Sequence, residues 1–272
     1  MNELFSLKNK IAIVTGALGL IGKQHCFALA EAGAHVVVSD TELEKCELFA
    51  DELKSSTPNE ILSISTDITS KSSLIRLRKT VVENFGRIDI LVNNAAINDK
   101  FESPASATEQ SMFENYPLQQ WQNSLDVNVT GMFLSSQVIG TIMAEQGNGS
   151  IINVASTYGL VAPDQSLYTT PDGIQPFYKS PAYPTTKGAV ISFTKFLAAY
   201  WGKKGVRVNA LCPGGVKNGQ DEYFVQKYSS RTMLGRMAEP TDYKGALVFL
   251  ASDASRYMTG ANLIVDGGWT AW

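Results

Sequence analysis

Short apolar runs recur along the chain and alternate with longer segments whose apolar residues return at helical spacing. The runs fall at residues 11–14, 35–39, 61–65, 88–92, 150–154, 206–211 and 262–265. Strands that are apolar almost throughout, each followed by a helix, indicate a parallel sheet buried on both faces. The pattern predicts an α/β fold, a single doubly wound parallel sheet of about seven strands. Helices are expected at 21–32 and 74–85, stopped by Gly33 and Gly86, and at 118–145, 183–203 and 240–251. Segments 98–117 and 157–182, rich in Pro, Ser, Thr, Asn and Asp with interspersed aromatics, predict long loops, and 216–237 predicts a modest lid.

Composition narrows the function classes. The 272 residues suffice for one sizeable domain, and 44% hydrophobic with 18% charged content suits a globular protein. A net charge of -3 with a pI near 5.5 gives no electrostatic footprint for nucleic acid or an anionic membrane. The N-terminal stretch shows no secretory leader, and uninterrupted apolar runs stay far short of the roughly 20 residues of a bilayer span, so a cytoplasmic location is expected. Cys26, Cys46 and Cys212 lack paired-ligand spacing, so neither a disulfide framework nor a metal site is expected. His25 and His35 fall in a helix and at a strand start, and proton chemistry must come from other residues.

The first strand runs into Thr15, Gly16, Ala17, Leu18, Gly19, Leu20, Ile21 and Gly22 and then a helix. A glycine turn in that setting brings backbone N–H groups and a helix N-terminus against a pyrophosphate. Asp40 ends the second strand, where a carboxylate accepts hydrogen bonds from adenosine ribose hydroxyls and repels a 2′-phosphate. NAD is therefore expected over NADP, with Lys23 as the one nearby charge working the other way.

Tyr183 and Lys187 are spaced to share one helix face, where an ammonium would favour the phenolate of a group whose pKa is ordinarily about 10. With TGALGLIG at 15–22, Asp67 after the third strand, Asn93-Asn94-Ala95-Ala96, Asn128 in DVNVTG, Ser156 in INVAS, YPTTK at 183–187 and Pro213-Gly214, the chain resembles the classical short-chain dehydrogenase/reductase family over its whole length. The resemblance implies a Rossmann-type single domain and an NAD-dependent oxidoreductase interconverting a secondary alcohol and a ketone. Tyr183 would move the hydroxyl proton, Lys187 would lower the tyrosine pKa and hold the nicotinamide ribose, Ser156 would bond the substrate oxygen, and Asn128 would hold a relay water. Thr15, Gly16, Gly19, Leu20, Ile21, Gly22, Asp40, Asp67, Ile68, Asn94, Ala95, Ala96, Pro213, Gly214, Val216 and Asn218 would line the cofactor, and a homo-oligomer, dimer or tetramer, is implied.

The chain departs from the family in several places. Leu20 stands where the classical fingerprint has glycine, a spacing that resembles the extended, epimerase-type branch; Ala96 replaces a glycine, and Asn218 a threonine. The interval from Ser156 to Tyr183 is unusually long. Both enlarged loops leave the carboxyl side of the sheet, and their Phe101, Tyr116, Tyr158, Tyr168, Phe177 and Tyr178 with Asn98, Asp164, Gln165, Asp172 and Gln175 suit a hydroxyl-rich, sugar-like or polyol substrate. An NAD-using epimerase and a catalytically silent nucleotide-binding protein on the same fold are the alternatives.

Overall fold

The computed structural model describes residues 3–98 and 104–272, the side chains of 104–106 excepted. Seven strands, β1 (Ile11–Thr15), β2 (His35–Asp40), β3 (Ile61–Ser65), β4 (Ile90–Asn93), β5 (Gly149–Val154), β6 (Val206–Pro213) and β7 (Asn262–Val265), form one sheet in the order β3-β2-β1-β4-β5-β6-β7. Each neighbouring pair is parallel, with Ile11 opposite His35 and Asn93 opposite Asn153. The strand order reverses between β1 and β4, which opens a crevice at their carboxyl ends.

Alternation along each strand divides the core into two layers. Ala12, Val14, Val36 and Val38 pack against α1 (Leu20–Glu31), α2 (Leu43–Ser56) and α9 (Lys244–Ala251). Ile11, Ile13 and Val37 pack on the other face against α3 (Lys71–Phe85), α6 (Met132–Gln146) and α7 (Ala182–Trp201). Each fully buried aliphatic side chain in these layers contributes roughly 1.5–3 kcal/mol of burial free energy.

Several boundaries differ from the expected ones, for identifiable reasons. The α2 helix was not expected, because its buried Cys46, Phe49, Ala50 and Leu53 are scattered among charged residues. The fourth strand starts at Ile90 instead of 88, since the Ile88 backbone is held by the Gln146 carboxamide (3.0 and 2.7 Å) and not by a neighbouring strand. Inside the expected loop 98–117 lies α4 (Pro104–Ser111), and inside the lid lies α8 (Glu222–Ser229), whose first turn is capped by the Asp221 carboxylate accepting from Phe224 N–H (2.9 Å). The segment expected as one helix at 118–145 comprises α5 (Leu118–Leu125), a π-helical stretch Asp126–Gly131, and α6. Leu118–Gln146 is by length and composition apolar enough to cross a bilayer, which the broken apolar runs in the sequence do not suggest. Half of its most apolar window is buried, and Val138, Ile139 and Met143 belong to the sheet core.

Candidate active site

At the carboxyl ends of the strands lies a cavity of about 720 Å³. The residues expected at the cofactor line it, apart from Thr15, and so do Ser156, Tyr183 and Lys187; Asn128 stands behind its wall.

The glycine turn is pinned from below. Thr15 Oγ1 donates to Val92 O (3.3 Å) and accepts from the N–H groups of Asn94 (3.2 Å) and Ala95 (3.3 Å), while Asn94 Nδ2 donates to the carbonyls of Thr15 (3.1 Å) and Gly16 (2.8 Å). Gly16 has φ +62°, and a Cβ there would stand 2.6 Å from Ala95 Cα. A Cβ at Gly22 would collide with the Gly16 carbonyl and stand 2.8 Å from Asn94 Nδ2, so glycine is required where α1 crosses the turn. Leu20 is the first residue of α1 and 41% exposed at the cavity wall; helical backbone there needs no glycine, which accounts for the departure at that position.

These residues fit a dinucleotide. The α1 N-terminus is capped by Gly19 with no side-chain hydrogen bond, leaving its first peptide N–H groups directed at an anion site. The Thr66 hydroxyl, also on the wall, is buried without a partner. Asp40 accepts from Leu18 N–H (3.0 Å) and Thr41 N–H (2.8 Å), and Asp67 from Thr69 N–H (2.8 Å) and its hydroxyl (2.7 Å), which orients both carboxylates at one end of the cavity. Lys23 does not line the cavity; its ammonium lies over the Phe49 ring, 5.1 Å from the centroid. At the other end, Asn218 N–H donates to Gln220 Oε1 (2.6 Å), Val216 bridges to Ala238, and Gly214 O accepts from the Tyr243 hydroxyl (3.0 Å).

The α7 helix brings Tyr183 and Lys187 onto one face, with the Lys187 ammonium 5.6 Å from the ring centroid. Lys187 is 3% exposed and donates to Val154 O (2.7 Å); burial pulls it down to about 8, against the opposing effect of the Cys212 thiol. Burial pushes the Tyr183 phenol above the ordinary tyrosine range, and a hydrogen bond with the Ser156 hydroxyl opposes that rise. Ser156 also accepts from Tyr158 N–H (3.2 Å), so one hydroxyl both caps the turn after β5 and faces the phenol. Asn128 occupies the π-helical stretch, a kind of irregularity frequent at functional sites. Its carboxamide accepts from Ile97 N–H (2.8 Å) and donates to Ile97 O (2.9 Å) and Thr186 Oγ1 (3.1 Å), tying the end of β4 to α7.

The loop residues separate into different roles. Tyr158 lines the catalytic cavity, Phe177 and Tyr178 line an adjoining one of about 850 Å³, and Tyr168 lines both. Gln165 pairs with both backbone groups of Lys179 (2.8 and 3.1 Å), Gln175 donates to Phe177 O (2.6 Å), and Asp164 pairs with Arg231, so these three stitch the loop instead of facing a ligand. Asp172 is exposed, Tyr116 lines neither cavity, Asn98 lines both, and Phe101 lies outside the described residues. Lys179 and Asn153 escaped the sequence reading. Lys179 places its ammonium 4.8 Å from the Tyr183 ring centroid and donates to Asn98 Oδ1 (2.8 Å). Beneath the site, Asn93 Nδ2 donates to Asn153 Oδ1 (2.9 Å), and Asn153 Nδ2 to Thr194 Oγ1 (2.9 Å), a buried polar ladder whose signal was an asparagine inside an apolar strand.

A family model described as enoyl-(acyl carrier protein) reductase matches residues 16–270. The chain is 35% identical to a D-threitol dehydrogenase of Mycolicibacterium smegmatis, covering 98% of this chain and 95% of that one. It is also 35% identical to a 3-alpha-(or 20-beta)-hydroxysteroid dehydrogenase of Mycobacterium bovis (97% and 91%), and 33% identical to a galactitol 2-dehydrogenase (L-tagatose-forming) of Cereibacter sphaeroides (99% and 98%). Among solved structures it resembles a short-chain type dehydrogenase/reductase from Mycobacterium marinum, with a TM-score of 0.85, 32% identity, and 99% and 98% coverage. It also resembles a gluconate 5-dehydrogenase from Burkholderia cenocepacia J2315 in complex with NADP and tartrate (0.86, 29%, 99% and 98%) and an NAD+-bound xylitol dehydrogenase (0.83, 29%, 96% and 99%).

Proposed function

Because this chain belongs to the short-chain dehydrogenase/reductase family, we propose that its oxidoreductase chemistry is the NAD(H)-linked interconversion of a secondary alcohol and a ketone on a polyol or sugar-like substrate. The observation that carries this reading is the convergence of Ser156, Tyr183 and Lys187 at one end of a cavity whose other end holds Asp40 and the α1 N-terminus. A bound nicotinamide supplies the hydride acceptor or donor. Tyr183 transfers the hydroxyl proton, Ser156 holds the substrate oxygen, and Lys187 stabilises the phenolate as charge develops. Lys187 also serves the ribose hydroxyls, and Asn128 keeps the end of β4 in register with α7.

For the coenzyme, the support is the carboxylate at Asp40 and the distribution of cations. Among the described residues, Lys179 and Lys187 are the basic side chains on the cavity wall, both at the Tyr183 end, so nothing basic there meets a 2′-phosphate. For the substrate, a threitol and a hydroxysteroid enzyme stand at the same identity. The lining favours the polyol, because Tyr158, Tyr168, Asn98 and Lys179 put polar atoms where a steroid would need apolar surface. A homo-oligomer is proposed through α6 and α7. Phe196 and Tyr200 are stacked at 5.9 Å, 60% and 62% exposed, beside a groove shared with Phe133, Phe193 and Trp201. Cys26, Cys46 and Cys212 are free, as suits a reducing cytoplasm.

The test is NADH formation from a panel of polyols, sugars, hydroxy acids and hydroxysteroids, repeated with NADP. Net NADH from a polyol supports the reading. Substrate interconversion without net NADH would assign the protein to the epimerases, and a steroid preference would replace the substrate class.

A further inference from the structure

The enlarged loop after Ser156 brings two phenols together inside the catalytic cavity. Tyr158 Oη and Tyr168 Oη are 3.2 Å apart, both half-buried, and both close enough to Tyr183 to feel its charge. Burial pushes both above the ordinary tyrosine range, the contact between them adding to the rise at Tyr158 and opposing it at Tyr168, so each stays a neutral hydroxyl at working pH.

Their placement is fixed by two separate parts of the chain. Tyr158 lies in the turn capped by Ser156, and that turn is pressed on α7: a Cβ at Gly159 would stand 2.7 Å from Lys187 O. The Tyr158 hydroxyl is thereby referenced to the same helix that carries Tyr183. Tyr168 is held between Phe177 (5.1 Å) and Phe224 of α8 (5.6 Å). The α8 helix in turn grips the loop through Lys227, whose ammonium donates to Thr169 Oγ1 (2.6 Å) and Ser166 O, and just beyond the helix Arg231 pairs with Asp164.

When one phenol donates to the other, one O–H and outward lone pairs on both oxygens remain for a ligand. Two neutral hydroxyls at hydrogen-bonding separation match the spacing of two hydroxyls on adjacent carbons. We propose that Tyr158 and Tyr168 form a specificity-determining pair that reads the hydroxyl next to the reacting carbinol, selecting vicinal diols over isolated secondary alcohols. Sites that hydrogen-bond a substrate hydroxyl discriminate strongly against analogues lacking it, because their own polar groups are then left unpaired.

This assignment rests on the polyol reading, and the experiment separates the two. D-threitol and butane-1,3-diol share four carbons and a secondary alcohol, but only threitol carries a hydroxyl beside it. The parent, Tyr158→Phe and Tyr168→Phe are compared for kcat/KM on both and for NADH affinity by fluorescence. Each variant is expected to lose about tenfold or more on threitol. Each should stay within about twofold of the parent on butane-1,3-diol and in NADH affinity. A parent that does not turn over threitol overturns the polyol reading and the pair with it. A parent that does, with variants losing equally on both substrates or on neither, overturns the pair alone and makes it a brace of the loop.

Discussion

His25 sits in the helix that would carry the pyrophosphate, and acid should loosen that helix through it. The imidazole is 0% exposed, and neither ring nitrogen has a hydrogen-bond partner. Burial alone pulls its pKa from 6.5 to about 4. The folded state thus prefers the neutral ring, so its contribution to stability is complete above pH 6.5 and is lost as pH falls toward 4. A shift of about 2.5 units corresponds to about 3 kcal/mol at full effect, and to about 2 kcal/mol at pH 5. The neighbouring thiols add nothing in this window, since burial pushes Cys26 up and Cys46 up to about 11. Urea unfolding of the parent and of His25→Leu at pH 7, 6 and 5 measures the effect: the parent should lose about 2 kcal/mol more than the variant across that range. Equal losses in the two proteins would refute the burial argument and place a hydrogen-bonding partner on the ring.

Further outcomes follow from the site. Asp40→Ala should narrow the preference for NAD(H) over NADP(H) by about tenfold, roughly 1.4 kcal/mol, read as the ratio of kcat/KM values; a parent that prefers NADP(H) contradicts the reading. Lys187→Ala should lower both turnover and NADH affinity, because one ammonium serves the phenol and the ribose; unchanged NADH affinity removes the ribose role. Arg231→Ala, which removes the ion pair to Asp164 and leaves Lys227 as the tie between α8 and the loop, should raise the substrate KM severalfold while NADH affinity holds; a shift in NADH affinity alone would place the lid over the wrong ligand.

The sheet was readable because its inner strands β1, β4 and β5 are buried on both faces and so nearly uninterrupted in apolar character, while the partly buried edge strands β3 and β7 still carry enough apolar residues to coincide with 61–65 and 262–265. Readability failed where polar residues carry the structure. The α2 helix hides a regular apolar stripe among charges, and β4 is shortened by a glutamine side chain from α6 that no local pattern reveals. The cofactor crevice was legible because glycine spacing and a strand-end aspartate are local signals, and only Thr15 of that set lies off the cavity wall. The loop 157–182 was legible as a substrate cover in composition, yet not in detail. Which of its polar groups face inward depends on contacts with α4 and α8, and Gln165 and Gln175 turned to the loop backbone while Lys179 turned to Tyr183. The phenol differs from expectation in direction: burial raises Tyr183, with the Ser156 hydrogen bond opposing it, and Lys187 donates to Val154 O.

The central claim is that Tyr183 moves the substrate proton in a site otherwise complete for dinucleotide binding. The most direct measurement pairs steady-state NADH formation from the best substrate of the polyol and sugar panel with fluorescence titration of NADH, for the parent and for Tyr183→Phe, which keeps the ring and deletes only the hydroxyl. The account predicts turnover lowered by about 10²-fold or more, with NADH affinity within about twofold of the parent. Turnover close to that of the parent in Tyr183→Phe would contradict it.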